Sequence, residues 1–259
     1  MSGPLNLLIN MDGAHERLAH FQAQAAAAGL DFERVAAVNG RAMSEADLER
    51  HRDRAAIYPL SGAEIGCALS HRRAWEKIVE ANVAWGCVFE DDACLVPDAG
   101  SVISAWPHDR DVPIIVKLEA TNGHPVALEK KEMLFAGRSL RALRGLSIGT
   151  AGYAINRSAC LALLQMPARY AVPLDLYLFS KRHGAVRGIT TFHLDPAPVI
   201  QADRLETLAA DTALASTIRE RGKRLRPRPP VTKLVRREFY RLREQVLEIG
   251  AHRKIIDWA

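Results

Sequence analysis

Apolar residues arrive along the chain in short runs separated by polar, helix-forming stretches, and their spacing predicts its elements. Residues 5–10 make one such run, of the length of a buried strand. An alanine-rich stretch over 15–28, halted by Gly29, predicts a helix, and Phe32-Glu33-Arg34-Val35 predicts a second strand closing at Asn39-Gly40. Ser61 with Glu64 three residues on is a capping-box pattern, so the next helix is expected from Ser61 through Trp75 to about residue 81. Strands follow at 85–89, 113–118 and 152–155. A helix over 158–165 is stopped by Pro167, and one more begins at Pro173-Leu174-Asp175. Strands alternating with helices predict an α/β sandwich around a largely parallel sheet, whose ligands gather beyond the carboxyl ends of the strands.

Composition adds to this picture. At 259 residues, 48% of them hydrophobic and 25% charged, the chain is sized for one large domain or two small ones. No run approaches the roughly 20 apolar residues of a membrane-spanning helix. The first residues lack the basic region, apolar stretch and cleavage site of a secretory signal, so a cytoplasmic location is expected. Cys67, Cys87, Cys94 and Cys160 are irregularly spaced and read as small buried hydrophobes, and the nine histidines show no paired spacing of a structural zinc site.

The net charge of +5 is uneven: thirteen Lys and Arg face four Glu between Arg219 and Lys254, which leaves the remainder mildly acidic. That segment opens with the proline-rich Arg224-Leu225-Arg226-Pro227-Arg228-Pro229-Pro230, so a domain over 1–215 is expected, followed by a linker and basic helix over 216–259. In the helix, Val235, Phe239, Leu242, Val246 and Ile249 recur at helical spacing among Lys233, Arg236, Arg237, Arg241 and Arg243. This is an amphipathic pattern suited to an anionic membrane surface, or to packing on the body or a second subunit.

The chemistry concentrates at Glu90-Asp91-Asp92, directly after the apolar Cys87-Val88-Phe89. Three adjacent carboxylates repel one another and are tolerated where water, donors or a divalent cation neutralises them. Mg²⁺ and Mn²⁺ are often held by one or two carboxylates plus substrate phosphates, which suits so short a motif. A solvated acidic turn, or phosphoryl or nucleotidyl transfer, is compatible with the same triplet.

Several segments in order carry a resemblance. They are Ile9-Asn10-Met11-Asp12 with Arg17; Ala37-Val38-Asn39-Gly40; Leu60-Ser61-Gly62-Ala63-Glu64-Ile65-Gly66-Cys67-Ala68-Leu69-Ser70-His71 with Trp75; the acidic triplet; Ile115-Val116-Lys117-Leu118-Glu119; Gly149-Thr150-Ala151-Gly152-Tyr153-Ala154-Ile155; and Pro173-Leu174-Asp175. Together they resemble glycosyltransferase family 25, over roughly residues 5–201.

The resemblance implies a GT-A fold and inverting transfer of a hexose, often galactose, from a UDP-sugar to a glycan or glycolipid acceptor such as lipooligosaccharide or lipopolysaccharide. It implies Mn²⁺ or Mg²⁺ bound by Asp92 with Glu90. It places Asn10, Asp12, Arg17, Asn39, Gly40, Ser70, His71, Glu90, Asp91 and Lys117 around the nucleotide-sugar, and Glu119, Thr150 and Tyr153 at the sugar or acceptor. Asp175 is the expected catalytic base, a carboxylate being ionised at neutral pH, although Asp at a helix start is also an ordinary cap. Trp75, one turn after His71, reads as core. Two other classes fit parts of the sequence: a metal-dependent nucleotidyl- or phosphotransferase, which shares the acidic site, and a nucleic-acid-binding protein. The basic tail's lack of interleaved aromatics beyond Phe239-Tyr240 argues against the second.

Overall fold

The computed structural model describes residues 3–106, 112–121, 123–181, 188–205 and 231–259. Among these, nine strands form one sheet: β1 (Leu5–Asn10), β2 (Glu33–Ala36), β3 (Trp85–Glu90), β5 (Ile114–Lys117), β6 (Val126–Phe135), β7 (Arg138–Leu143), β8 (Gly152–Asn156), β9 (Thr190–Asp195) and β11 (His252–Lys254). The order is β11-β6-β7-β9-β5-β8-β3-β1-β2. β4 (Ala93–Leu95) and β10 (Val199–Gln201) pair separately.

β1 is parallel to both β2 and β3, and β5 to β9. β8 runs antiparallel between β3 and β5, while β7 and β11 oppose β9 and β6. Most strands therefore point one way, as the alternating pattern predicts, with β7, β8 and β11 reversed. The reversal of β8 matters for the site. It brings the start of that strand, with residues 149–151 leading into it, to the carboxyl end of β3, where Phe89 pairs with Gly152.

The period-two alternation of the strands sorts the core onto two faces. Leu7, Ile9, Val88, Tyr153 and Ile155 pack with α3 (Gly62–Glu80), α5 (Arg157–Leu164) and α6 (Leu174–Phe179). Leu8, Cys87, Phe89 and Val116 pack on the opposite face with α1 (His15–Ala27) and α4 (Ala99–Ser104). α2 (Glu45–His51), capped by Ser44, adds Leu48 to the first face. α3 starts at the expected capping box, with Ser61 Oγ accepting from the Glu64 amide at 3.3 Å and Glu64 Oε2 accepting from the Ser61 amide at 2.8 Å. Trp75 is core, 1% exposed.

The boundary expected at residue 215 and the proline-rich linker fall outside the described residues. Beyond them lies α7 (Val231–Leu247), and Val235, Phe239, Leu242, Val246 and Ile249 are all exposed. The chain then returns to the body: β11 pairs with the edge of β6, and Ile256 is buried in the core. No described helix is long and apolar enough to cross a membrane.

One contact fixes α3 against the loop after β2. A Cβ on Gly40 would stand 1.8 Å from the Gly62 carbonyl oxygen, and one on Gly66 would stand 2.6 Å from the Val38 carbonyl oxygen and 2.7 Å from the Gly40 amide nitrogen. These neighbours are backbone and cannot swing aside, so the glycines let helix and loop touch. In a helix interior Gly→Ala ordinarily stabilises by about 1 kcal/mol. Gly66→Ala is expected to do the reverse, lowering stability by about 1–3 kcal/mol through overpacking, read as a shift of the urea unfolding midpoint.

Candidate active site

A cavity of about 300 Å³ opens at the carboxyl ends of β1 and β3, walled by the loop after β2 and by the first turns of α3. Its lining includes Arg17, Asn39, Gly40, Cys67, Ser70, His71 and the whole acidic triplet. The structure thus gathers residues far apart in sequence into one pocket.

The three carboxylates are held differently. Asp91 is 6% exposed and fully engaged: Arg17 donates to its Oδ1 at 2.5 Å and Asn10 Nδ2 to its Oδ2 at 2.8 Å. Asn10 in turn accepts from Arg34 at 2.8 Å. Asp12 lies outside the cavity wall, exposed, paired with Arg34 at 2.6 Å.

Glu90 accepts from His71 Nε2 at 3.2 Å and from the Thr150 hydroxyl. Burial pushes its carboxyl up, but the hydrogen bond and charge of His71, the Thr150 hydroxyl and the Lys117 ammonium together bring it below the ordinary value. Trp75 Nε1–H can only donate, and it donates to the Tyr153 oxygen at 2.8 Å. The Tyr153 hydroxyl and His71 Nδ1 share a hydrogen bond, also 2.8 Å long, and His71 Nε2 faces Glu90. Tyr153 is fully buried and acts from behind the pocket.

Asp92 is the exception. It is 4% exposed, and its Oδ1 has no hydrogen-bond partner. Burial pushes its carboxyl well above the ordinary range, and the nearby Glu90 and Asp91 add to the shift against the pull of Arg17. An orphaned, buried carboxylate oxygen facing other carboxylates fits a divalent cation with oxygen preference, with Glu90 as its neighbour.

A second group stands beyond the cavity lining and converges on Gly149. Lys117, 0% exposed, donates to the carbonyl oxygens of Ile148 and Gly149 and pairs with Glu119 at 3.3 Å. Burial pushes Lys117 down and Glu119 up, and each is opposed by the charge of the other. Glu119 also accepts from the Ala151 amide at 3.0 Å and lies 3.8 Å from Arg204. Asp175, in the first turn of α6, accepts from the Gly149 amide at 3.3 Å and from the Leu176 amide at 2.7 Å. Gly149 has φ +94°, and a Cβ there would fall 2.2 Å from Glu119 Oε1, so glycine is required on both counts. Lys117 and Glu119 therefore hold the segment that presents Thr150 to Glu90.

Ser70 is a structural link: its hydroxyl donates to the Gly66 carbonyl at 2.7 Å and accepts from the Val38 amide at 2.8 Å. Sequence reading missed Arg34 and Arg204, which carry no local signal. It placed Cys67 in the core, whereas the thiol is half-buried in the cavity wall, one helical turn before His71. That four-residue spacing was the available clue.

The state of Asp92 has a consequence for stability. A carboxyl raised in the folded protein favours the folded state below its unfolded value of 3.8, and that contribution is lost as pH climbs through the folded value. Without metal, Asp92→Asn is therefore expected to match the wild-type melting temperature near pH 4 and to exceed it at pH 7.5, measured by calorimetry in the presence of a chelator.

The comparisons with known proteins identify the family. The family model described as "Glycosyltransferase family 25 (LPS biosynthesis protein)" matches residues 4–178. The "Lacto-N-neotetraose biosynthesis glycosyltransferase LgtB" of Neisseria gonorrhoeae is 29% identical over 74% of this chain and 72% of its own. LgtE of the same organism is 27% identical over 85% and 84%. The "Lipooligosaccharide biosynthesis protein lex-1" of Haemophilus influenzae is 30% identical over 73% and 64%. A solved glycosyltransferase involved in the glycosylation of the major capsid of PBCV-1 is a remote likeness, with TM-score 0.39 and 10% identity over 80% of this chain and 99% of that one. With the family model matched across the strands and helices that build the cavity, the chain belongs to glycosyltransferase family 25.

Proposed function

We propose that this glycosyltransferase has a GT-A type fold and moves a hexose, galactose foremost, from a UDP-sugar to a saccharide acceptor, inverting the anomeric centre. The acceptor belongs to lipooligosaccharide, lipopolysaccharide or a related surface glycan, a reading supported by the printed functions of the Neisseria and Haemophilus relatives. The observation that carries the donor reading is the orphaned Asp92 oxygen in the floor of a polar cavity at the strand ends.

Asp92 with Glu90 would hold Mn²⁺ or Mg²⁺. Bound there, such an ion would offset the charge that develops on a departing diphosphate. The chain's own residues do the rest. Asn39 and the backbone at Val38 and Gly40 line the side of the cavity open to a nucleoside. Arg17 and Asn10 hold Asp91 in place, and His71 and Thr150 orient Glu90. Asp175 takes the proton of the acceptor hydroxyl as the new bond forms, and the amides of Gly149 and Leu176 keep its carboxylate aimed. Tyr153, Trp75 and Ile65 are buried core residues behind the pocket.

The exposed apolar stripe of α7, with Arg241 and Arg243 exposed beside it, supports peripheral contact with an anionic cytoplasmic leaflet. Each such cation contributes about 1 kcal/mol near the surface. That contact would bring a cytoplasmic enzyme to a lipid-linked acceptor.

Calorimetric titration with a panel of UDP-sugars tests the donor: one sugar is expected to bind with Mn²⁺ present, and Asp92→Asn to lose the metal dependence. Wild-type affinity in the variant would refute the metal assignment. Asp175→Asn is expected to lower kcat about 10²–10⁴-fold, the range for loss of a general base, with donor KM little changed. Leu242→Glu is expected to reduce sedimentation with phosphatidylglycerol vesicles while leaving transfer to a soluble acceptor intact.

A further inference from the structure

Cys67 and His71 stand one turn apart on α3, and the end of β3 brings Glu90 against them. The thiol sulfur, an imidazole nitrogen and a carboxylate oxygen of these three residues all lie within 4.8 Å of one another. His71 Nε2 and Glu90 Oε1 are 3.2 Å apart, close to the separation of two ligands each about 2.0–2.1 Å from one tetrahedral ion. A sulfur, nitrogen and oxygen set is a poor match for Mn²⁺ or Mg²⁺, which prefer oxygen alone, and a good one for a borderline-soft ion such as Zn²⁺.

We propose that Cys67, His71 and Glu90 form a Zn²⁺ site in the wall of the cavity, beside the oxygen site at Asp92 and sharing Glu90 with it. On binding, the Cys67 thiol gives its proton to solvent and ligates as thiolate, while His71 gives up its Nε2 hydrogen and ligates as neutral imidazole whose remaining hydrogen, on Nδ1, is donated to the Tyr153 oxygen. The outer groups needed to hold such ligands are in place. Tyr153 fixes the far nitrogen of His71 at 2.8 Å, and the Thr150 hydroxyl fixes Glu90. All three ligands line the cavity, which supplies an entry path and leaves a fourth position open to water. The site escapes a search for paired ligand spacings because its third ligand comes from a strand 19 residues after His71. Glu90 also faces the oxygen site, so Zn²⁺ opposes donor binding; this last consequence rests on the donor reading, whereas zinc binding itself does not.

Co²⁺ titrated into the full chain, as a spectroscopic substitute for Zn²⁺, tests the proposal. A sulfur-to-cobalt charge-transfer band is expected to saturate at a single equivalent and to be bleached by Zn²⁺. Cys67→Ser is expected to lose the band and at least about tenfold in Zn²⁺ affinity. Asp92→Asn is expected to keep both. On the unaltered chain, Zn²⁺ is expected to protect Cys67 from iodoacetamide, followed by peptide mass spectrometry, so the outcome does not depend on a variant folding. No band, a band that persists in Cys67→Ser or disappears in Asp92→Asn, or Cys67 alkylated equally fast with and without Zn²⁺ would overturn it.

Discussion

Three consecutive carboxylates at the end of a buried strand must each be neutralised, and much of the surrounding architecture answers that demand. Glu90 draws His71 from α3 and Thr150 from the segment before β8. Asp91 draws Arg17 from α1 and Asn10 from β1. Each partner arrives on a different element, so the triplet ties both layers of helices to the strand ends. Removing one partner would leave a buried charge uncompensated, which typically costs several kcal/mol. Asp92 is left over, and its unsatisfied oxygen is where the fold has kept room for something it does not itself supply.

The supports behind this triplet are of two physical kinds. On the α3 side they are steric: Gly40, Gly62 and Gly66 allow backbone to touch backbone, which sets the helix at a fixed distance from the cavity. On the β8 side they are electrostatic, with the buried Lys117–Glu119 pair gripping residues 148–151 from both chain directions. Such a pair contributes little to net stability. Its value lies in fixing one arrangement of the Gly149 segment, and with it the positions of Thr150 and Asp175.

Much of this was legible in the sequence where the signal is local. The Ser61–Glu64 capping box, the helix ending at Gly29 and the strand leading into Glu90 are set by neighbours in the chain, and the structure has them. The hairpin of β6 and β7 was not legible, because residues 129–134 are charged or exposed and give no apolar alternation. The reversal of β8 was equally hidden: strand direction is decided by how distant segments pack, not by composition. The same holds within the site. Lys117 is expected around the nucleotide-sugar, and its ammonium is turned onto the carbonyl oxygens of Ile148 and Gly149. Which of three adjacent carboxylates keeps an unpaired oxygen depends on Arg17, Asn10, His71 and Thr150, none of them adjacent in sequence.

The return of the chain at β11 alters how the basic helix is to be understood. An appendage joined at one end can be trimmed away without consequence, but α7 is a loop closed at both ends, since β11 pairs with β6 and Ile256 is seated in the core. Trimming from residue 231 onward would strip the outermost ribbon from the sheet. The uncovered β6 would then offer a row of unpaired amides and carbonyls to any neighbouring molecule, which is the starting point for edge-to-edge aggregation.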